Sequence, residues 1–433
     1  MKNYINVIGA GLAGIEAAWQ IAKRGIHVRL YEMKPKKYSP AHKNDYFAEL
    51  VCSNSFRANN IENAVGLLKE EMRFLDSIII KCADMTSVPA GGALAVDREK
   101  FSKLVTKEIM ENKNIEIIID EIKSIPKDSI TIIATGPLTS DDLSKEIINY
   151  LGKDYLHFFD AAAPIVSFDS INMNIAFKAS RYGRGTADYI NCPMDREQYL
   201  NFYEELKNAE LAPVKDFEDK KIFEGCMPIE SMAKRGIDTM RFGPLKPVGI
   251  EKPGLDKKFY AVVQLRQDNS EGSMFNLVGF QTHLKWSEQN RIFKIIPGLE
   301  KAEFIRYGVM HRNTYINSPM LLDSTYNLKD NSKIFFAGQI TGVEGYVESA
   351  SSGLIAGINA ANLIFDKEKI FFTNETAIGS LVNYISDSSI RNFQPMNVNF
   401  GIMKKLDFRV KNKKEKNSII AKRALKFLEN LDF

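Results

Sequence analysis

A chain of 433 residues, 45% of them hydrophobic, is long enough for two or three domains and a large buried core, so its stability requires neither disulfides nor a structural metal. A formal net charge of +4 is too small to imply a polyanion partner by itself, and four cysteines with no CxxC pair and no Cys/His grouping at zinc spacing argue against a disulfide framework or a metal site. No apolar run approaches the roughly 18 residues of a membrane span, and "MKNYINVIGAG" does not read as an export signal, so the expectation is a cytoplasmic protein with reduced thiols.

In chain order, Ile5 to Val7 read as a short strand, "GAGLAG" as a tight turn, "IEAAWQIAKRG" as a helix with Gly25 at its C-cap, and "HVRLYE" as a second strand. Strand, turn, helix and strand make a parallel β-α-β unit with a right-handed crossover. Gly9, Gly11 and Gly14 have the GxGxxG spacing, and Ala10, Leu12 and Ala13 complete the loop. The first glycine permits the turn, the second lets a pyrophosphate approach the backbone and the third allows close packing. Glu32 ends the second strand, where a carboxylate accepts from a ribose hydroxyl and repels a 2′-phosphate, so the dinucleotide is FAD or NAD rather than NADP.

Further along, Asp97 is placed to N-cap "REKFSKLVTKEIMEN", and "IEIIID" and "SITIIATG" read as additions to the same sheet. From 154 to 323 the pattern changes to irregular strands, glycine-paired loops and Pro-bounded turns, which predicts an inserted domain. "KIFFAGQ" then returns to a buried-strand pattern, followed by the small-residue helix "VESASSGLIAGINAANLIF". The predicted organisation is α/β: a discontinuous Rossmann-type FAD-binding domain with an inserted α/β domain, in segments 1–153, 154–323 (the insertion, for RNA and folate) and 324–365, then a basic helical segment 366–433 packed on the FAD domain.

"IIATGP", with Thr135 and Gly136, and "FFAGQITGVEGYVES", with Gly338, Gln339, Glu344, Gly345 and Tyr346, resemble the second and third segments by which two-domain flavoproteins hold FAD. The third sets a polar residue, here Gln339, near the ribityl chain and aims a helix N-terminus at the flavin ring, where it favours the anionic reduced form. No second GxGxxG occurs, so a nicotinamide donor would dock transiently. Residues 401–433 hold ten Lys/Arg against four Asp/Glu, and read either as a solvated helix pair or as an RNA-facing patch.

Cys82 and Cys192 read as apolar core thiols, whereas Cys52 in "ELVCSNSFR" and Cys226 in "FEGCMPIESM" have polar or turn-like neighbours that suit an ionisable thiol. Arg57, Arg181 and Arg184 sit in polar loops, as phosphate or carboxylate partners or as solvated arginines. Tyr182 and Tyr346 read as stacking residues or as turn anchors.

The motifs "VIGAGLAGIEAAWQIAKRG", "AELVCSNSFR", "SVPAGGALAVDR", "FEGCMPIESMAKRG", "YAVVQLRQDN", "NLVGFQTHLKW", "RYGVMHRNTYINSP", "FFAGQITGVEGYVESASSGL" and "FQPMNVNFG" span almost the whole chain. Together they resemble the folate- and FAD-dependent RNA uridine C5-methyltransferases, the TrmFO family, related to the GidA tRNA-modification flavoproteins. The resemblance implies FAD, NAD(P)H as reductant and methylenetetrahydrofolate as carbon donor. Two thiols suit that chemistry: one adds to carbon 6 of uracil to make carbon 5 nucleophilic, and a base then removes the carbon 5 proton. Family analogy assigns the first role to Cys226 and the second to Cys52, with the order of the two left open. It also implies Gln264, Arg266, Gln281, His283, Trp286 and Arg312 as substrate-binding residues of the insertion, and no obligate protein partner.

Two positions depart from the family pattern: "RYGRG" (Arg181 to Gly185) replaces an acid by Gly183, and Met85 and Thr86 replace a basic pair before "SVPAGG". The expected substrate is the T-loop uridine of tRNA, with a uridine of 23S ribosomal RNA as the alternative. From a different class, the same residues would serve a small-molecule FAD oxidoreductase or a non-catalytic GidA-like RNA-binding flavoprotein.

Overall fold

The computed structural model describes residues 4–152, 155–183, 185–212, 227–252, 254, 258–391 and 393–431. Its first layer is a five-stranded parallel sheet in the order Ile334–Phe336, Thr131–Ile133, Tyr4–Ile8, His27–Glu32 and Ile115–Ile119. The strand at 334–336 pairs with that at 131–133, so the nucleotide domain is discontinuous, completed after a long insertion as its buried-strand patterns require. Helix Leu12–Lys23 and helix Tyr346–Ile364 pack on each other at backbone distance: a Cβ on Gly353 would lie 2.0 Å from the Ala13 carbonyl oxygen, and one on Gly357 2.7 Å from that of Ala17. The small-residue run of the later helix exists for this contact.

Asp97 caps helix Arg98–Met110 as expected, its side chain accepting from Glu99 N and Lys100 N. A small antiparallel sheet, Ser55–Ala58 with Ala93–Val96 and Ser87–Val88, lies between the first β-α-β unit and that helix. It anchors the stretch carrying Cys52.

The insertion is reached through an antiparallel ribbon, Tyr155–Ala162 against Val309–Ile316. Its core is a six-stranded antiparallel sheet, ordered Phe177–Lys178, Ile190–Met194, Ala261–Gln267, Met274–Leu277, Ile165–Ser167 and Phe304–Arg306. Helices Arg196–Lys207 and Trp286–Phe293 bury aromatic and aliphatic side chains against it, including Tyr199, Phe202, Ile292 and Phe293. The insertion is thus α/β with its own core.

After the returning helix, Ala377–Ser386 docks on helix Ala64–Phe74 through buried Glu71, whose carboxyl accepts from Ala377 N at 2.7 Å and Ile378 N at 2.8 Å. Of the two readings of the basic tail, a solvated helix pair or an RNA-facing patch, the pair does not form among the described residues: there is one helix, Lys413–Glu429, after a run of turns. The preceding residues lack an apolar period, and Asn412 starts the helix by accepting from Lys414 N and Glu415 N. Ile420, Ala421, Ala424 and Leu428 face the core while Lys411, Lys413, Lys414 and Lys416 are exposed. No helix among the described residues is long and apolar enough to cross a membrane.

Candidate active site

The three glycine-containing segments meet at one cleft of about 1130 Å³, solvent mouth included. Gly9 has φ +99°, and a Cβ there would sit 2.7 Å from the Ala134 carbonyl oxygen, while a Cβ on Gly14 would sit 1.8 Å from that of Gly9. A Cβ on Gly11 meets nothing within 4 Å: this glycine faces open space at the start of helix Leu12–Lys23, where a pyrophosphate would approach the amides. Glu32, 8% exposed, accepts from Ala10 N at 3.1 Å through one oxygen and from Lys34 N at 2.9 Å through the other. Each carboxylate oxygen keeps a second lone pair for a ribose hydroxyl. These residues fit a dinucleotide such as FAD.

Thr135 and Gly136 line the same cleft, with Thr135 Oγ1 2.6 Å from Thr139 Oγ1. Gly338 and Gln339 close its far side: Gly338 N donates to Ser352 Oγ at 2.6 Å, and Gln339 Nε2 to Glu344 Oε1 at 2.9 Å. Gly345 is the N-cap of helix Tyr346–Ile364 and offers no side chain to its first amides.

Cys52 stands at this helix start. Its amide and that of Ser53 both donate to the Tyr346 hydroxyl, at 2.9 and 3.1 Å, and its sulfur lies 2.9 Å from the same oxygen. Tyr346 also lines the nucleotide cleft, so a residue 294 positions away ties the thiol to the cofactor site. Burial pushes the Tyr346 phenol well above its ordinary value, the neighbouring thiol adding to the shift. By contrast Cys82 and Cys192 are fully buried, and burial pushes both thiols up to about 12. The division of the cysteines read from their sequence contexts has this physical basis for the three described thiols.

Three arginines from three elements hold residues 50–54. Arg98 donates to the Leu50 carbonyl at 2.7 Å and forks onto Asp268 at 2.8 and 3.1 Å. Arg306 donates to the Val51 carbonyl. Arg266 donates to Ser53 Oγ at 2.7 Å and Asn54 Oδ1 at 3.1 Å, and Asn54 Nδ2 reaches the carbonyls of Val96 and Gln267, each at 2.9 Å. Burial opposes the charge on all three. At Arg98 burial is outweighed by Asp268 together with Tyr346 and Cys52, and the guanidinium titrates above its ordinary value, while Arg266 and Arg306 titrate below theirs. Of these only Arg266 was expected at the site. Arg98, Arg306, Asp268 and Asn54 were missed, although Asp268 stands in the quoted "RQDN" and Arg98 directly follows the recognised cap Asp97.

The remaining expected residues fall in other places. Arg57 pairs with Glu348, whose side chain is wholly buried and also accepts from Val398 N at 3.0 Å. Arg181 donates to the carbonyls of Val248 and Lys246 and to Gln264 Oε1 at 3.3 Å, and Gln264 passes on to Asn191 Oδ1 at 3.0 Å. Tyr182, 57% exposed at φ +58°, lies over Gly249, where a Cβ would meet its ring at 2.6 Å. Gln281 and His283 lie beside residues that follow Cys226 in sequence: Ile229 N donates to Gln281 O at 2.8 Å, and His283 N to the buried Glu230 at 2.8 Å. Trp286, 62% exposed, stacks on Tyr307 with centroids 5.6 Å apart and planes at 13°. Arg312 is on strand Val309–Ile316, opposite Phe159, its side chain outside the described part. Cys226 and Arg184 both lie outside the described residues. Among the described residues no group of three or more His, Cys, Asp or Glu is placed to hold a metal ion.

Residues 4–368 match the family described as glucose inhibited division protein A. Among curated relatives, the methylenetetrahydrofolate--tRNA-(uracil-5-)-methyltransferase TrmFO of Acetivibrio thermocellus is 68% identical over 429 residues, covering 99% of this chain and 98% of that protein. The protein of the same name from Bacillus subtilis is 59% identical over 427 residues, with 99% and 98% covered. In fold the chain is similar to the crystal structure of Aquifex aeolicus GidA, with a TM-score of 0.71 at 17% identity over 98% of this chain and 73% of that one.

Proposed function

Because the chain belongs to the TrmFO family, within the wider family described as glucose inhibited division protein A, we propose that it methylates carbon 5 of a uridine in RNA, with FAD as cofactor and methylenetetrahydrofolate as carbon donor. The target in this reading is the T-loop uridine of tRNA, the reductant NADH or NADPH, and the compartment the cytoplasm. The observation that carries it is the placement of Cys52, bonded to a tyrosine that lines the dinucleotide cleft and held by arginines of the insertion.

When bound, FAD would supply reducing electrons and relay the one-carbon unit from the folate. The protein's part is to hold it, with Gly11 and the following helix at the pyrophosphate, Glu32 at the ribose, and Gln339 and Tyr346 toward the ring end. Cys226 adds through sulfur to carbon 6 of the uracil, which makes carbon 5 able to attack the one-carbon unit. Cys52 then takes the proton from carbon 5, and the electron pair left behind expels the carrier amine from the one-carbon unit, leaving a methylene on carbon 5; a hydride, which the reduced flavin would supply, completes the methyl group as the ring double bond re-forms and the Cys226 sulfur departs. Trp286, exposed and stacked on Tyr307, suits stacking on a base of the RNA.

Purified protein supplied with FAD, methylenetetrahydrofolate and NADH or NADPH is expected to convert a T-loop transcript to its 5-methyluridine form. Methylation of a 23S ribosomal RNA fragment and not of the transcript would move the target and keep the chemistry. Turnover of a disulfide or quinone with no RNA product would replace the reading by that of a small-molecule oxidoreductase.

A further inference from the structure

The cradle around Cys52 carries more positive charge than its visible partners balance. Among the described residues, the charged and titratable groups around it include Arg98 from the helix start, Arg266 from the central strand of the insertion and Asp268 just after it, Tyr189 beside Arg266, Arg306 from the edge strand, Tyr346 and Glu348 from the closing helix, and Glu49 on its own segment. The carboxylates are already engaged: Asp268 with Arg98, Glu348 with Arg57, and Glu49 with the Lys43 amide and, at 3.7 Å, Lys34 Nζ. Among the described residues, Arg266 and Arg306 therefore sit largely buried with only Asp268, already paired with Arg98, to share. Two donors in the cluster, Arg98 Nη2 and Arg306 Nε, are buried without a hydrogen-bond partner among the described residues. Buried guanidinium charge left unmatched is costly, and an anion nearby is the ordinary remedy.

The hydrogen bonds on Tyr346 point to that anion. A phenol oxygen has one O–H to give and two lone pairs to receive with. Both lone pairs are taken by the amides of Cys52 and Ser53, so the O–H donates, and the atom it faces is Cys52 Sγ at 2.9 Å. The sulfur accepts in this contact. The charges of Arg98 and Arg306 each interact with both Cys52 and Tyr346.

We infer that Cys52 rests as a thiolate, with Arg98 and Arg306 as its counter-ions and the Tyr346 hydroxyl as its hydrogen-bond donor. Arg98 and Arg306 are positioning residues: they grip the Leu50 and Val51 carbonyls and set the charge of the sulfur. The use of this anion rests on the proposed function, in which the thiolate accepts the carbon 5 proton and becomes a thiol while the C–H electron pair stays on the uracil and expels the carrier of the one-carbon unit. The charge itself is measurable without RNA or folate.

The test is site-resolved alkylation of Cys52 by iodoacetamide in the FAD-bound protein, followed by peptide mass spectrometry from about pH 5 to about pH 10. Wild-type alkylation is expected to reach half its plateau at least about one unit below the ~8.5 of an ordinary thiol. Arg306→Met, outside the nucleotide cleft, is expected to raise that midpoint by about one unit and slow alkylation at neutral pH up to ~10-fold, with Arg306→Lys restoring most of it. Asp268→Asn removes the carboxylate that pairs with Arg98 and is expected to shift the midpoint the opposite way. Flavin absorbance confirms that each variant is folded. A wild-type midpoint at or above ~8.5, a midpoint unmoved in Arg306→Met, or no alkylation of Cys52 at any pH overturns the inference. A low midpoint in a protein that methylates no RNA counts against the proposed function and leaves the thiolate standing.

Discussion

Tyr346→Phe removes one oxygen and three contacts at once: the amides of Cys52 and Ser53 lose their acceptor, and the sulfur loses its donor. A buried amide left unmatched costs about 1–3 kcal/mol. Cys52 and Ser53 are only half-buried, so water recovers part of this and the low end applies to each, giving about 2–3 kcal/mol for the pair. At about 1.4 kcal/mol per decade this is roughly 30- to 150-fold more frequent opening of the loop. Hydrogen–deuterium exchange read on peptides covering residues 50–54 measures that opening directly, with helix Arg98–Met110 as the internal control. Phenylalanine keeps the ring and its tilted packing on Phe56, centroids 5.9 Å apart, so the cleft wall stays in place. Exchange of residues 50–54 equal to wild type would refute the reasoning, because it would mean that the hydroxyl does not hold the thiol loop.

Other perturbations separate cofactor binding, fold and chemistry. Gly353→Ala drives a methyl group to 2.0 Å from the Ala13 carbonyl oxygen, so the two helices behind the cleft must part; we expect purified protein with less than half the wild-type flavin content, read from its absorbance. Cys226 lies in none of the three FAD segments of the sequence, so Cys226→Ala is expected to keep the flavin and lose methyl transfer; full transfer by that variant would end the nucleophile assignment. Burial pushes the Glu71 carboxyl to about 8 from 4.5, its two backbone hydrogen bonds offsetting only part of the shift. The folded protein thus keeps a proton that the unfolded chain releases above ~4.5, and this contribution to stability is complete below that value and is lost as pH rises toward 8. Glu71→Gln is expected to shrink the difference in thermal midpoint between about pH 5 and about pH 8, and an unchanged difference would contradict the burial argument.

The nucleotide half of the site was readable because its signals are local. "GAGLAG" follows one strand and opens one helix, and Glu32 ends the next strand, so twenty-odd consecutive residues specify the turn, the helix and the carboxylate. The thiol loop was readable only in part. Its polar context singled out Cys52, but what holds it comes from Arg98 and Asp268, 170 positions apart, from Arg306, 255 positions from Val51, and from Tyr346, 294 positions away. No periodicity connects residues so distant; they meet because the insertion returns its sheet onto the small sheet of the first domain. The tail shows the reverse case. Its lysines suggested amphipathic helices, but charge alone does not fix where a helix starts, and Asn412 with the apolar spacing from Ile420 to Leu428 confines it to one.

The central claim is that carbon from a folate passes to a uridine at a flavin site where Cys52 serves as base. Methylenetetrahydrofolate labelled in its methylene carbon, given to the reduced wild-type protein with a T-loop transcript, tests it most directly by mass analysis of the nucleosides. The account predicts label in 5-methyluridine with wild type and a rate at least ~100-fold lower with Cys52→Ser, flavin still bound. Label that enters only from S-adenosylmethionine, or a Cys52→Ser protein that transfers it at the wild-type rate, would contradict the account.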